Sequence, residues 1–521
     1  MLLRTLLVAG ALSLTTPAFA QVESQIAGER RDAALAAADA HLDAQGHAIL
    51  RDLAGLVSIP NVASDAENIG RNAEAIGAML ERRGATVELI RTGDAPPIVY
   101  GRLDAPGAER TIALYVHYDG QPVDRRMWAY DPWEATLLTG SVASGARRID
   151  FPEAGESIDP EWRLVGRSTS DDKAPIAAIL HALDALDAAG VERTVNLVFF
   201  FEGEEEAGSM HLEQTLHAME DRLSDIDLWL FCDGPSHQSG RPQLIFGVRG
   251  VIGLEITTFG ALRPLHSGHY GNFSPNPAMR LANLLASMKD DEGRVLIDGF
   301  GDDTAALSPY EEAALDLVPP IDDTLLAELG LARQERPGEP YARSVLRPSL
   351  NIRGLASANV GEGSRNVVPT TATVSIDIRL APGNDPARMI EIVEAHIAAQ
   401  GFHIVRDAPD VDTRRAHERI AQVRWSDRYP AAQSSMTHEA VRPVVQAARR
   451  AARASGMGDL VLNPLLGGTL PIYLFTDILG KPAVITPLAN HDNNQHAENE
   501  DLRVGNLWYG VRLFSAVMTM E

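Results

Sequence analysis

Two kinds of hydrophobic pattern alternate along the chain. Apolar residues recur at helical spacing over about 29–57 and again over 67–84, where Ile69, Ala73, Ile76, Met79 and Leu80 share one face. Val87–Ile90 then reads as a strand, and the largely apolar runs Thr111–Val116, Val195–Phe201 and Leu228–Cys232 read as buried strands. A helix is predicted from about Pro175 to Ala189, its proline near the first turn where a missing N–H is harmless. Strands alternating with helices imply an α/β fold, a mostly parallel sheet covered on both faces.

Near residue 245 the texture changes. Val251–Thr257 and Thr371–Ile378 alternate apolar with polar or small residues, as half-buried antiparallel strands do. Helical stretches at about 276–288 and 384–400 lie beside them, and the acidic, proline-bearing segment 300–345 reads as loops with short helices. From about 430 the first texture returns, with a helix at 436–455, a strand at Ala483–Ile485 and a last helix near 501–519. The pattern therefore predicts one domain from 21–245 and 430–521, with an α+β domain, 246–429, inserted into it.

Composition narrows the class. A length of 521 residues exceeds what one core organises, in keeping with two domains. A net charge of −25 argues against nucleic acid or an anionic membrane surface as the main partner. The single cysteine, Cys232, excludes an intrachain disulfide and suits a buried strand position. Residues 1–20 read as a signal peptide: Arg4, an apolar stretch from Leu6 to Leu14, and Ala18-Phe19-Ala20 as the cleavage site. That stretch is too short to span a bilayer. Export is expected, to a periplasm or beyond, and a lone cysteine fits the periplasm better than a disulfide-rich extracellular setting.

The candidate chemistry sits at the ends of the buried strands. The first runs into His117-Tyr118-Asp119-Gly120-Gln121-Pro122, another into Glu202-Gly203-Glu204-Glu205-Glu206, and a third into Asp233. Sites in open α/β sheets collect outside the carboxyl ends of strands, so one edge receives a histidine and several carboxylates. Any one of these residues would be unremarked as a surface or core side chain; their joint placement is not. A fourth segment, Gly166-Arg167-Ser168-Thr169-Ser170-Asp171-Asp172-Lys173, precedes the helix at 175, and a fifth is Gln495-His496-Ala497-Glu498-Asn499-Glu500. His491 competes with His496 for the place of a second histidine ligand, and His181, inside an apolar helix, reads as structural.

These segments, in this order, resemble the dinuclear zinc peptidases of the aminoacylase, carboxypeptidase G and carnosinase family. Leu265-His266-Ser267-Gly268-His269-Tyr270-Gly271 and Gly467-Gly468-Thr469-Leu470-Pro471 resemble its carnosinase-like dipeptidase branch. The resemblance implies that His117, Asp171 and Asp233 hold one zinc and Asp171, Glu206 and His496 the other, with cobalt or manganese as substitutes. Such ligands suit zinc, and two ions about 3.5–4 Å apart share a bridging water and polarise a carbonyl. Asp119 would orient His117, and Glu205 would serve as general base and then acid. His266 would stabilise the oxyanion across a homodimer interface made by the inserted domain, which doubles as a lid. Arg379, Asn366, Gly468 and Thr469 would contact the substrate, Arg379 at its free carboxylate.

Two departures stand out: Ser168 where the family has glycine, and Leu465-Leu466 where the branch commonly carries charge. The expected activity is metal-dependent hydrolysis of dipeptides or small peptides. The rival activities are deacylation of N-acyl amino acids and, in a different class, silent binding of peptide or metal.

Overall fold

The computed structural model describes residues 17–521, so Met1–Thr16, which carry most of the signal peptide expected from the sequence, lie outside the described residues. The first helix runs Pro17–Val57 and the second Ala66–Glu81. An eight-stranded sheet follows in the order Thr86–Ile90, Ile98–Leu103, Asn196–Glu202, Thr111–His117, Leu228–Phe231, Ala483–Ile485, Gln243–Ile245, Val461–Asn463. The four central strands, from Asn196–Glu202 to Ala483–Ile485, are mutually parallel, and antiparallel pairing enters on both sides of them.

The apolar runs are explained by burial on both faces. Along Thr111–His117, Leu114 and Val116 face a core with the helices Pro17–Val57, Lys173–Ala189, Val441–Ala454 and Val504–Met518. Ala113 and Tyr115 face the opposite core, where Phe475 stacks edge-on against Trp229 at 4.6 Å and Phe231 at 5.0 Å. Cys232 is buried in its strand-end position.

Residues 250–429 build a second sheet in the order Ser349–Ser357, Thr371–Leu380, Gly250–Phe259, Ile420–Tyr429, His403–Val405. Its alternation puts Ile252, Leu254, Ile256, Val374, Ile376 and Ile378 against the helices Pro277–Met288 and Pro386–Ala399. Period two then assigns Asp377 and Arg379 to the other face, which that core leaves open. Where the chain passes between the sheets, Gly247–Val248 pairs with Ala432–Gln433. The two crossings are so close that a Cβ on Gly250 would run into the Tyr429 carbonyl.

Boundaries differ from the sequence expectation at three places. The helix expected from Pro175 begins at Lys173, and that expected from 436 begins at Val441. Asp501–Arg503, expected as helix, instead pairs with Arg163–Val165 before the last helix starts at Val504. That pairing carries the His496 loop back to the strand leading into Asp171.

Candidate metal centre

His117 is the last residue of its strand and registers with Glu202 on the neighbouring parallel strand. The Glu202–Glu206 turn and Asp233 therefore leave the sheet at one edge. His117 Nε2 stands 3.0 Å from Asp171 Oδ1 and 3.9 Å from Asp233 Oδ2. On the other side, His496 Nε2 stands 3.1 Å from both Asp171 Oδ2 and Glu206 Oε2. Asp171 thus turns one oxygen to each histidine. Two groups of ligand atoms result, His117 with Glu205 and Asp233, and Asp171 with Glu206 and His496, each within 4.8 Å. Glu205, expected to stand apart from the ligands, joins the first group. His491 belongs to neither.

The centre is held by a second layer of contacts. His117 Nδ1 lies 3.4 Å from Asp119 Oδ1 and 3.2 Å from the Asp119 carbonyl. The same Asp119 carboxylate accepts the backbone N–H groups of Glu205 and Glu206, both at 3.0 Å. Fully buried Glu500 accepts from the amides of Ser168, Ser170 and Asp171, from Ser170 Oγ and from Arg167 Nη1, at 2.8–3.1 Å. Gln121 donates to Glu206 at 2.8 Å and Gln495 to Asp171 at 2.9 Å. Ser168 has φ +60°, in the left-handed region, which accounts for glycine in the resembled motif. Its Oγ accepts from Asn61 at 3.0 Å and occupies the space a Cβ on Gly120 would need.

Packing so many carboxylates together shifts their protonation. Burial, then the Asp171 charge, pushes Asp233 up to about 7, and burial raises Glu205 well above the carboxylate range. Asp171 is buried too, yet hydrogen bonds from His117 and His496 hold it below its ordinary value. Hydrogen bonds to Asp171 and Glu206 push His496 up to about 10. A single ring nitrogen facing two carboxylate oxygens on each side, amid excess buried negative charge, is the donor set of a divalent cation rather than of an ion pair.

The centre lines one wall of a cleft of about 1960 Å³ that also meets Arg379, Gly468 and Thr469. Arg379 Nε pairs with Asp377 at 3.1 Å, and its Nη1 donates to Thr469 Oγ1 at 2.8 Å. Leu466 lines the same cleft. His266 and Asn366 do not. Both belong to an exposed ribbon in which Leu265–His266 pairs with Val367–Val368 and the Ser267 amide donates to the Asn366 carbonyl at 2.9 Å. His269 packs beside His266 with ring centroids 4.5 Å apart.

His181 lies in a separate cluster with His41 and Asp184. There Arg83 grips the Asp184 carboxylate with two N–H groups, at 2.5 and 2.8 Å, while His181 contacts His41 and Asp52, both at 3.1 Å. A carboxylate already committed to a guanidinium reads as a helix-tying ion-pair network, in line with the structural reading of His181.

Glu500, Gln121 and Gln495 were not singled out from the sequence. Glu500 sat in view inside the H-A-E-N-E segment, but the amides it accepts are 329–332 residues away. Only the fold brings them together.

Comparison with known proteins identifies the family and the fold. The sequence profile of Peptidase family M20/M25/M40 matches residues 113–520. The Cys-Gly metallodipeptidase dug1 of Schizosaccharomyces pombe is 24% identical over 479 residues, spanning 89% of this chain and 93% of the relative. The Beta-Ala-His dipeptidase of Homo sapiens is 26% identical over 461 residues, spanning 84% of this chain and 82% of the relative. The M20 family metallo-carboxypeptidase Sso-CP2 from Sulfolobus solfataricus superposes with a TM-score of 0.72 at 24% identity, over 91% of this chain and 98% of the other. The chain belongs to peptidase family M20/M25/M40.

Proposed function

We propose that this protein is a dinuclear metallopeptidase cleaving dipeptides or small peptides that end in a free carboxylate, with zinc as the working ion. The observation that carries the reading is Asp171, whose two oxygens face His117 at 3.0 Å and His496 at 3.1 Å, as a bridging carboxylate requires. His117, Asp171 and Asp233 would hold one ion, and Asp171, Glu206 and His496 the other. Bound there, two divalent ions supply Lewis-acid polarisation of the scissile carbonyl and a lowered pKa for the attacking water. Glu205 takes the proton from that water and returns it to the leaving amine, and burial suits its carboxylate to hold a proton between the two steps. Asp119 fixes His117 and the Glu205–Glu206 backbone together. Arg379, with Gly468 and Thr469, receives the substrate carboxylate. The named activities of the dipeptidase relatives support the substrate class.

His266 and Asn366 act in the cleft of a second copy. Two observations support a homodimer: this ribbon stands outside its own cleft, and the edge strand Ser349–Ser357 exposes Ile352 and Leu355. Residues 1–20 support export, and a mature chain beginning at Gln21 in the periplasmic fraction is the expected product. The deciding experiment is metal analysis of the purified protein coupled to a dipeptide screen with N-acetyl amino acids alongside. Preferential turnover of the acylated amino acids would make it a deacylase instead.

A further inference from the structure

The cleft is lined by seven lysine and arginine side chains. Six of them, Lys289, Arg294, Arg336, Arg343, Arg347 and Arg379, each stand within 3.1 Å of a carboxylate oxygen. Arg249 is different. It is 8% exposed, and among the described residues no carboxylate lies within ion-pair distance of it. Its Nη2 donates only to neutral acceptors, the Arg347 carbonyl at 2.9 Å and Ser349 Oγ at 2.6 Å. Its Nε is buried with no partner. A guanidinium removed from water without a counter-ion is costly, and the cost is offset when an anion arrives.

Its position says which anion. The Arg249 carbonyl accepts from Thr469 Oγ1 at 2.7 Å, and its amide donates to the Gly468 carbonyl at 3.1 Å. The same Thr469 oxygen accepts from Arg379 at 2.8 Å, so one hydroxyl locks both arginines to one loop. Ser349, which accepts from Arg249 Nη2, registers opposite Arg379 on the neighbouring strand. So does Val251 on the other side, two residues from Arg249, so the two arginines meet on one face of the sheet. Burial, then the Arg379 charge, lowers the Arg249 guanidinium to about 10. Asp377, paired to Arg379, is the internal counter-charge. Two guanidiniums and one carboxylate leave the pocket one positive charge in excess.

We propose that Arg249 and Arg379 together form a two-cation seat for a single carboxylate, the α-carboxylate at the substrate's C-terminus, and that Arg249 sets the preference for free acids over amides. This rests on the peptidase reading above. Arg249 is part of the seat; it takes no part in the proton transfers.

The test compares Arg249→Lys and Arg249→Gln with the wild type, on a dipeptide and on its C-terminal amide. Arg249→Gln should raise KM for the acid at least about tenfold, the scale of one charge-assisted contact, with a smaller change in kcat and unchanged metal content. Arg249→Lys should recover part of that loss, and the amide should respond to neither substitution. Equal losses on acid and amide would mean a structural residue and overturn the proposal, as would an unchanged KM. Calorimetric binding of the same two peptides to Glu205→Gln protein, with and without Arg249→Lys, separates this idea from the peptidase reading. Acid-selective binding that weakens with Arg249→Lys, in a wild type that hydrolyses neither peptide, would support the seat and overturn the hydrolase.

Discussion

The edge of the eight-stranded sheet and the Leu265–His266/Val367–Val368 ribbon carry their candidate residues in opposite ways. At the carboxyl edge of the eight-stranded sheet, His117, Asp233 and the neighbouring Asp171 are buried and each is gripped from behind, His117 by Asp119, Asp171 by Glu500 and Asp233 by the Gly234 amide. In the separate two-stranded ribbon, His266 and Asn366 are exposed and do not line their own cleft. The first arrangement gives rigid ligands at fixed separation, which metal binding and proton transfer demand. The second leaves two polar side chains exposed and away from the cleft of their own chain. Precision is built into one wall of the site; the homodimer proposed above would bring the ribbon to the other.

The largest expected effects test the rigid wall. Chelation should abolish activity, and zinc, cobalt or manganese should restore it. Glu205→Gln should lower kcat by about 10² or more at full metal occupancy, measured by steady-state rates with elemental analysis. Lost occupancy in Glu205→Gln, with Glu206→Gln keeping its metals, would reverse the roles of the adjacent pair.

The assembly-dependent wall comes next. His266→Ala should lose about 10²-fold in kcat, the scale of one oxyanion contact, with metals and fold intact. Mixing it with Glu205→Gln should regain activity in mixed dimers. A fully active monomer in light scattering would overturn the role of His266 across two copies, because the ribbon would then have no site to serve.

Glu500→Gln probes the supports rather than the ligands. An amide end would set an N–H against the Ser170 and Asp171 amides or against Arg167, where the carboxylate now accepts from all of them. Metal affinity should fall about 10–100-fold and stability by about 3 kcal/mol, read by metal titration and thermal melting. Unchanged affinity would show that Asp171 holds its place without Glu500.

The smallest effect is on pH dependence. Lys173 is fully buried, donating to the Leu56 and Ile59 carbonyls, and burial lowers it from 10.5 to about 7. Its charged form is disfavoured by folding, so the penalty is full below pH 7 and fades between about pH 7 and 10.5. Relative to Lys173→Met, the wild type should therefore gain about 2 kcal/mol of stability from pH 7 to pH 9. Parallel pH profiles for the two proteins would mean that Lys173 keeps its charge throughout.

The sequence by itself determined most of the metal wall. Continuous apolar runs identify strands buried on both faces, and residues just beyond such runs must emerge at one sheet edge. His117, the Glu205–Glu206 pair and Asp233 were legible for that reason, and His496 through its motif. Alternation in Thr371–Ile378 likewise marked a half-buried strand, the one at whose end Arg379 stands. Tertiary structure alone decided what lies across large sequence separations. Glu500 beneath the Asp171 loop, Arg249 left without a counter-ion, and Asp501–Arg503 drawn from helix into strand pairing have no local signature. Each depends on which partners the fold delivers: a carboxylate or guanidinium looks the same in sequence whether its neighbours are water, amides or another charge.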